Sequence, residues 1–242
     1  MKRAIVTGAS SGIGRAVAER LLAEGWTVGL IARRAPLLED IAAGFDRAVV
    51  LAADVTEPSA VQAAFDRFEG AAGGLDLLFN NAGIFVPPNL IDDMPLADWD
   101  RSVAVNLTGM FLAARAAFGL MRRQAPRGGR IINNGSISAH VPREGSVGYT
   151  VTKHAITGLT RQLALDGRDI DIACGQIDIG NAHTDMIDML IHRARDAGQA
   201  EPPHFDVAHV ADAVLHMANL PLNANVLFQT IMATRMPYVG RG

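Results

Sequence analysis

The sequence predicts an α/β fold: a single doubly wound domain in which a mainly parallel sheet carries helices on both faces. Three observations predict it. Short apolar runs alternate with helically spaced patterns along all 242 residues. The first apolar run opens into a glycine-rich turn that leads directly into a helix. No linker, low-complexity stretch or internal repeat divides the chain, so residues 1–242 are expected to form one domain.

The elements follow in order. Lys2 to Thr7 is the first strand, and the turn Gly8-Ala9-Ser10-Ser11-Gly12-Ile13-Gly14 follows it. Ala16, Val17, Leu21 and Leu22 then recur with helical spacing as far as Gly25. Trp26 to Ala32 is the second strand, Leu37 to Gly44 a helix and Ala48 to Ala53 the third strand. Val61, Ala64, Phe65 and Phe68 mark a helix that Gly73-Gly74 ends, and Leu75 to Phe79 is the fourth strand. Pro87 to Pro95 reads as a loop. Leu96 to Leu120 reads as one long helix with Asn106 inside it, a poor helix-interior residue that marks a local distortion. Arg130 to Asn134 is a strand, Tyr149 to Leu165 a helix and Ile170 to Ile177 another strand. Asp178 to Thr184 is a polar crossing, Asp185 to Gly198 a helical segment, Val207 to Asn219 a helix and Val226 to Ala233 the last strand.

Composition narrows the function. A net charge of −3 without a long basic run offers nothing for nucleic acid. No uninterrupted apolar run reaches the roughly 18 residues of a membrane span. The chain opens on a strand and not on a signal peptide, so a cytoplasmic location without membrane partners is expected. The single cysteine, Cys174, lies in an apolar run and reads as a core thiol. The histidines at 140, 154, 183, 192, 204, 209 and 216 show no metal-ligand spacing, so no catalytic metal is expected.

The glycine turn carries the first chemistry. Gly8 lets the chain turn tightly, Gly12 admits a phosphate close to the backbone, and Gly14 lets the helix pack against the sheet. The N-terminus of that helix offers free N–H groups to a pyrophosphate. At the end of the second strand, where an acidic residue would grip a ribose 2′-hydroxyl, stand Ala32 and then Arg33-Arg34, which favours a 2′-phosphate and hence NADP(H) over NAD(H). Arg15 is a second candidate cation or a surface charge. Asp54 either accepts from an adenine amino group or serves as an N-cap or turn residue. Asn80-Asn81-Ala82-Gly83 ends the fourth strand, where asparagines can tie neighbouring strands and let the chain pass a cofactor closely.

The second chemistry lies between Ser136 and Lys153. Tyr149 and Lys153 are one helical turn apart on one face, and Ser136 follows an apolar strand. A tyrosine titrates near pH ~10, and a neighbouring cation favours its anion, which suits an acid/base at neutral pH.

On these residues the chain resembles the short-chain dehydrogenase/reductase family over essentially its whole length. Thr7-Gly8-Ala9-Ser10-Ser11-Gly12-Ile13-Gly14, Asp54-Val55, Asn80-Asn81-Ala82-Gly83, Asn106, Ser136, and Tyr149 with Lys153 stand in the family's order. The resemblance implies a Rossmann-type domain and a carbonyl–alcohol oxidoreductase. It implies that Tyr149 exchanges a proton with the substrate oxygen, Lys153 supports Tyr149 and holds the nicotinamide ribose, Ser136 orients the carbonyl, and Asn106 holds a relay water. It places Gly8, Ser10, Ser11, Gly12, Ile13, Gly14, Arg33, Arg34, Asp54, Val55, Asn81, Ala82, Gly83, Tyr149, Lys153, Gly180, Ala182 and Thr184 at the dinucleotide. It also implies a homodimer or homotetramer, built on helices such as 96–120 and 149–165.

Two departures stand out. Ile179-Gly180 replaces the family's usual Pro-Gly, with Asp178 beside it as a candidate local brace. The tail 233–242 lacks the usual glycine pair, and its extended apolar character suggests docking at a subunit interface. The substrate segment is expected at about 185–206, with Ser138, His140, Val141, Arg143 and His183 at the pocket mouth. Met186, Ile187, Met189, Leu190 and Ile191 would form an apolar face for substrate or for plain helix packing. Arg143 either pairs with an acidic substrate or is a surface charge. An alternative to the reductase is a catalytically silent NADP-binding regulatory or scaffold protein. The intact set of Ser136, Tyr149, Lys153 and Asn106 argues against it.

Overall fold

The computed structural model describes residues 2–239, apart from the Met186 side chain. Seven strands form one sheet: β1 Arg3–Thr7, β2 Thr27–Ala32, β3 Ala48–Ala52, β4 Leu77–Asn80, β5 Gly129–Asn134, β6 Ile172–Ile179 and β7 Phe228–Ile231. Their order is β3-β2-β1-β4-β5-β6-β7, and every pairing is parallel. Parallel neighbours need crossovers, and helices supply them. They are α1 Gly12–Ala23, α2 Ala35–Ala42, α3 Pro58–Ala72, α4 Leu96–Val103, α5 Met110–Arg123, α6 Val147–Asp166, α7 Asp185–Asp196 and α8 Ala208–Asn219.

Both faces of the sheet are covered. Val17 and Leu21 of α1, Leu38 of α2, and Val210 and Val214 of α8 pack on one side. Phe65 and Phe68 of α3, with Ala113, Ala117 and Met121 of α5, pack on the other. The chain moves outward from β1 through β2 to β3, then returns to place β4 on the far side of β1. That reversal opens a crevice beyond the carboxyl ends of β1 and β4, where open α/β sheets bind ligands.

The expected long helix is broken as its sequence suggested. Between α4 and α5 the backbone forms a π-helical segment over Ala104–Gly109, and Asn106 is buried within it. Together the stretch Leu96–Arg123 is long and apolar enough by composition to cross a bilayer, but its α5 portion packs against the sheet through buried Ala113, Ala117 and Leu120.

Strand β6 differs from expectation at both ends. It starts at Ile172, because Arg168–Ile170 forms a 3₁₀ turn and Asp171 takes a left-handed φ of 56°. It continues through Asp178 and Ile179, so Asp178 is a buried strand residue and not part of a polar crossing. Ile179 pairs with Ile231, and the Gly180 N–H donates to the Ile231 carbonyl at 2.8 Å. The ladder to β7 thus sets the backbone where the missing proline would have.

Arg130 of β5 is buried at 2% exposure without a carboxylate partner among the described residues. Its guanidinium donates to Asn225 Oδ1 (2.8 Å) and to the carbonyls of Leu220, Pro221 and Ala224 (3.2, 3.2 and 2.9 Å), which gather where α8 ends. Burial lowers its pKa. Cys174 lies alongside in β6, and burial pushes its thiol up to about 12, so it stays protonated at neutral pH as a core thiol.

Candidate active site

A cleft of about 710 Å³ opens at the carboxyl ends of the strands. At one end it is lined by the turn from Gly8 to Gly14, by Arg33 and Arg34 after β2, and by Asp54 and Val55 after β3. At the other end it is lined by Ser136, Tyr149 and Lys153, with Gly180, Ala182 and Thr184 between. Asn81, Ala82 and Gly83 form its floor after β4. All the sequence-expected dinucleotide residues therefore share one cleft. Asn106 does not line it.

The glycine turn is built for close approach. Gly8 has a φ of +68°, and a Cβ on Gly14 would fall 2.2 Å from the Gly8 carbonyl oxygen, so any side chain there would drive α1 off the turn. The Ser11 N-cap makes no side-chain cap bond, so no cap side chain covers the first N–H groups of α1 beside the cleft. That cradle fits a pyrophosphate.

The arginines around the glycine turn take separate partners. Arg33 is 73% exposed, with Nη1 4.0 Å from Asp54 Oδ2. Arg34 reaches back to the turn and donates to Ser10 Oγ at 3.0 Å and Ser11 Oγ at 3.3 Å. Arg15 instead pairs with Glu19 (2.7 Å) and Asp40 (3.3 Å) and stays out of the cleft as a surface charge. Asp54 Oδ1 accepts from the Thr56 N–H and hydroxyl, bonds that hold its carboxyl below the usual range. Helix α3 has Glu57 as its N-cap, which makes Asp54 a turn residue that lines the cleft.

The floor is tied by side chains. The Asn81 and Ala82 N–H groups donate to Thr7 Oγ1 at 2.8 and 2.9 Å, Asn81 Nδ2 donates to the Thr7 carbonyl, and Asn134 Nδ2 donates to Asn81 Oδ1 at 2.7 Å. The asparagines do tie neighbouring strands, as expected. The role of Thr7 as a double acceptor carries no sequence signal beyond its place before Gly8.

At the reactive end, Lys153 is buried at 3% exposure and donates from Nζ to the Asn134 carbonyl at 2.7 Å. Its Nζ lies 5.5 Å from the centroid of the Tyr149 ring. Phe85, which sequence reasoning passed over, meets the same ring edge-on at 5.2 Å and 62°. Ser136 Oγ accepts from the Ser138 N–H at 3.1 Å, which leaves its own hydroxyl proton to be donated elsewhere. Asn106 uses both ends of its amide on Ile84: the Ile84 N–H donates to Oδ1 at 2.7 Å, and Nδ2 donates to the Ile84 carbonyl at 2.9 Å. Its side chain therefore braces the cleft wall from behind.

The expected pocket mouth is met in part. Arg143 lines the cleft and donates to Asn181 Oδ1 at 3.1 Å. Ser138 is fully buried; His140 bonds Asp178 at 2.8 Å, and His183, between the lining residues Ala182 and Thr184, bonds Asp188 at 2.7 Å; these three and Val141 are not part of the cleft lining. From the substrate segment Ile187, Met189 and Leu190 reach the cleft wall, whereas Ile191 is packed inside. The segment is closed by a parallel bridge between Ala182 and Phe205. Asp178 does not brace the Ile179-Gly180 turn; its carboxylate is engaged by Ser136, Gln176 and His140. In the described part of the tail Met236 approaches the end of β6: a Cβ on Gly180 would fall 3.0 Å from Met236 Sδ. Gly240, Arg241 and Gly242 lie outside the described residues. Among the described residues no cluster of three metal-ligating side chains occurs.

Comparison with known proteins identifies the family and the fold. The family model described as short chain dehydrogenase matches residues 2–194. The chain is 35% identical over 227 residues to 2-(R)-hydroxypropyl-CoM dehydrogenase of Xanthobacter autotrophicus, covering 89% of this chain and 90% of that one. Among solved structures, a short chain dehydrogenase from Burkholderia cenocepacia in complex with NADP superposes with a TM-score of 0.83 at 35% identity, covering 95% and 96% of the two chains. A 3-ketoacyl-(acyl-carrier-protein) reductase from Brucella melitensis complexed with NADH gives a TM-score of 0.87 at 25% identity over 97% and 98%.

Proposed function

We propose that this chain, which belongs to the short-chain dehydrogenase family, interconverts a small carbonyl compound and its alcohol with NADP(H). The observation that carries the proposal is the meeting of Ser136, Tyr149 and Lys153 with the glycine turn in one cleft. When bound, a nicotinamide dinucleotide supplies or takes up the hydride. The glycine turn and the α1 N-terminus would hold its pyrophosphate, and Lys153 has two N–H donors beyond the one given to Asn134 for the nicotinamide ribose.

The chain's own residues handle the proton. Ser136, with its Oγ already accepting from Ser138, donates its hydroxyl proton to the substrate oxygen and fixes that oxygen in place. Tyr149 gives its phenolic proton to the same oxygen as negative charge builds there. The Lys153 ammonium, buried beside the ring, stabilises the phenolate left behind. Asn106 holds the Ile84 wall with both ends of its amide.

The preference for NADP(H) rests on two guanidinium groups, Arg33 and Arg34, where an acidic residue would repel a 2′-phosphate. Fluorescence titration of the purified protein is expected to give an NADPH dissociation constant at least about tenfold below that for NADH, the worth of one charge-assisted hydrogen bond. Equal or tighter NADH binding would remove the NADP reading. A panel of ketones and aldehydes, followed by NADPH absorbance, tests turnover in the same cuvette; binding without turnover on any of them counts against the enzyme.

A further inference from the structure

Asp178 is a fully buried carboxylate that the family-level reading leaves without a role. Its Oδ1 accepts from the Ser136 main-chain N–H at 3.0 Å and from Gln176 Nε2 at 2.7 Å, and its Oδ2 lies 2.8 Å from His140 Nε2. The approach is possible only beside a glycine: a Cβ on Gly135 would fall 2.0 Å from Asp178 Oδ1. Behind it a line of buried side chains donates with one sense. Asn80 Nδ2 donates to Asn133 Oδ1 (3.0 Å), Asn133 Nδ2 to Thr160 Oγ1 (2.9 Å), and Thr160 Oγ1 to Gln176 Oε1 (3.0 Å). Gln176 then donates to Asp178, so the dipoles of β4, β5, α6 and β6 converge on this one carboxylate.

We propose that Asp178, completed by His140, is the positioning residue for Ser136. A buried carboxylate is tolerated only when donors surround it, and here one of those donors is the backbone of the residue whose hydroxyl faces the substrate. Fixing the Ser136 N–H fixes the start of the 3₁₀ turn Ile137–Ala139, and with it the Ser138 N–H that orients Ser136 Oγ. His140 is 39% exposed and closes the solvent side of the pair. Neither Asp178 nor His140 lines the cleft, so both act through Ser136.

The proposal rests on the reductase reading, and its test separates the two. In the full chain, Asp178→Ala is expected to lower kcat for the best carbonyl compound of the panel by about tenfold to a hundredfold, the cost of a small misplacement of a reacting group. KM and the NADPH dissociation constant stay within about threefold. His140→Gln, whose amide can still donate to Asp178, is expected to keep most of kcat, whereas His140→Leu loses it. Amide hydrogen exchange of the peptide 135–139 needs no substrate: Asp178→Ala and His140→Leu are expected to lose protection there, and His140→Gln to keep it. Unchanged kcat together with unchanged exchange in Asp178→Ala would overturn the proposal, as would equal behaviour of the two His140 variants. If the wild type turns over nothing, the reductase reading fails and the exchange pattern alone decides this one. If Asp178→Ala does not fold, the His140 pair decides it.

Discussion

Tyr149→Phe is expected to reduce kcat for carbonyl reduction by about 10²- to 10⁴-fold, the usual worth of a positioned general acid, with NADPH binding unchanged within a few fold. The substitution removes only the phenolic oxygen. The ring keeps its edge contact with Phe85, and Lys153 keeps its bond to the Asn134 carbonyl, so the cleft wall stays in place. Stopped-flow or steady-state absorbance at saturating NADPH gives kcat, and fluorescence gives the binding constant. A variant retaining more than about a tenth of wild-type kcat would show that another group delivers the proton.

Arg130→Ala is expected to lower the free energy of unfolding by about 3 to 4 kcal/mol, among the larger effects for a single site. Deleting the guanidinium leaves Asn225 Oδ1 and the carbonyls of Leu220, Pro221 and Ala224 without their donor in a closed site. It also removes the positive charge at the carboxyl end of α8, where the helix dipole is negative. Denaturant unfolding reads the change. Because this site sits at the edge of β5 away from the cleft, NADPH affinity of the folded fraction should not move.

The alternation of strands and helices was legible because each element follows a plain period, and the glycine turn because its backbone demands leave little choice of residue. Asn106, a residue poor in helix interiors, marked where the helix departs from regularity, though not that the departure is a π-helical segment. Asp178 was misread because a charged residue after an apolar run normally signals a loop. Here its burial is compensated by Ser136, Gln176 and His140, and those partners come from distant parts of the chain. Arg34 and Arg15 show the same limit. Both follow motif residues, but only the fold decides that one returns to Ser10 while the other meets Glu19 and Asp40. Thr7, Phe85 and Asn134 do their work through main-chain or ring contacts that leave no spacing signature.

The central claim is that this cleft moves a hydride between a nicotinamide and a carbonyl carbon. NADPH doubly deuterated at C4 of the nicotinamide, incubated with the protein and its best carbonyl compound, tests that claim whichever face of the ring reacts. The predicted product is an alcohol carrying one deuterium on its carbinol carbon, detected by mass spectrometry and absent with Tyr149→Phe over the same interval. An alcohol formed without deuterium, or labelled equally by the Tyr149→Phe variant, would contradict it.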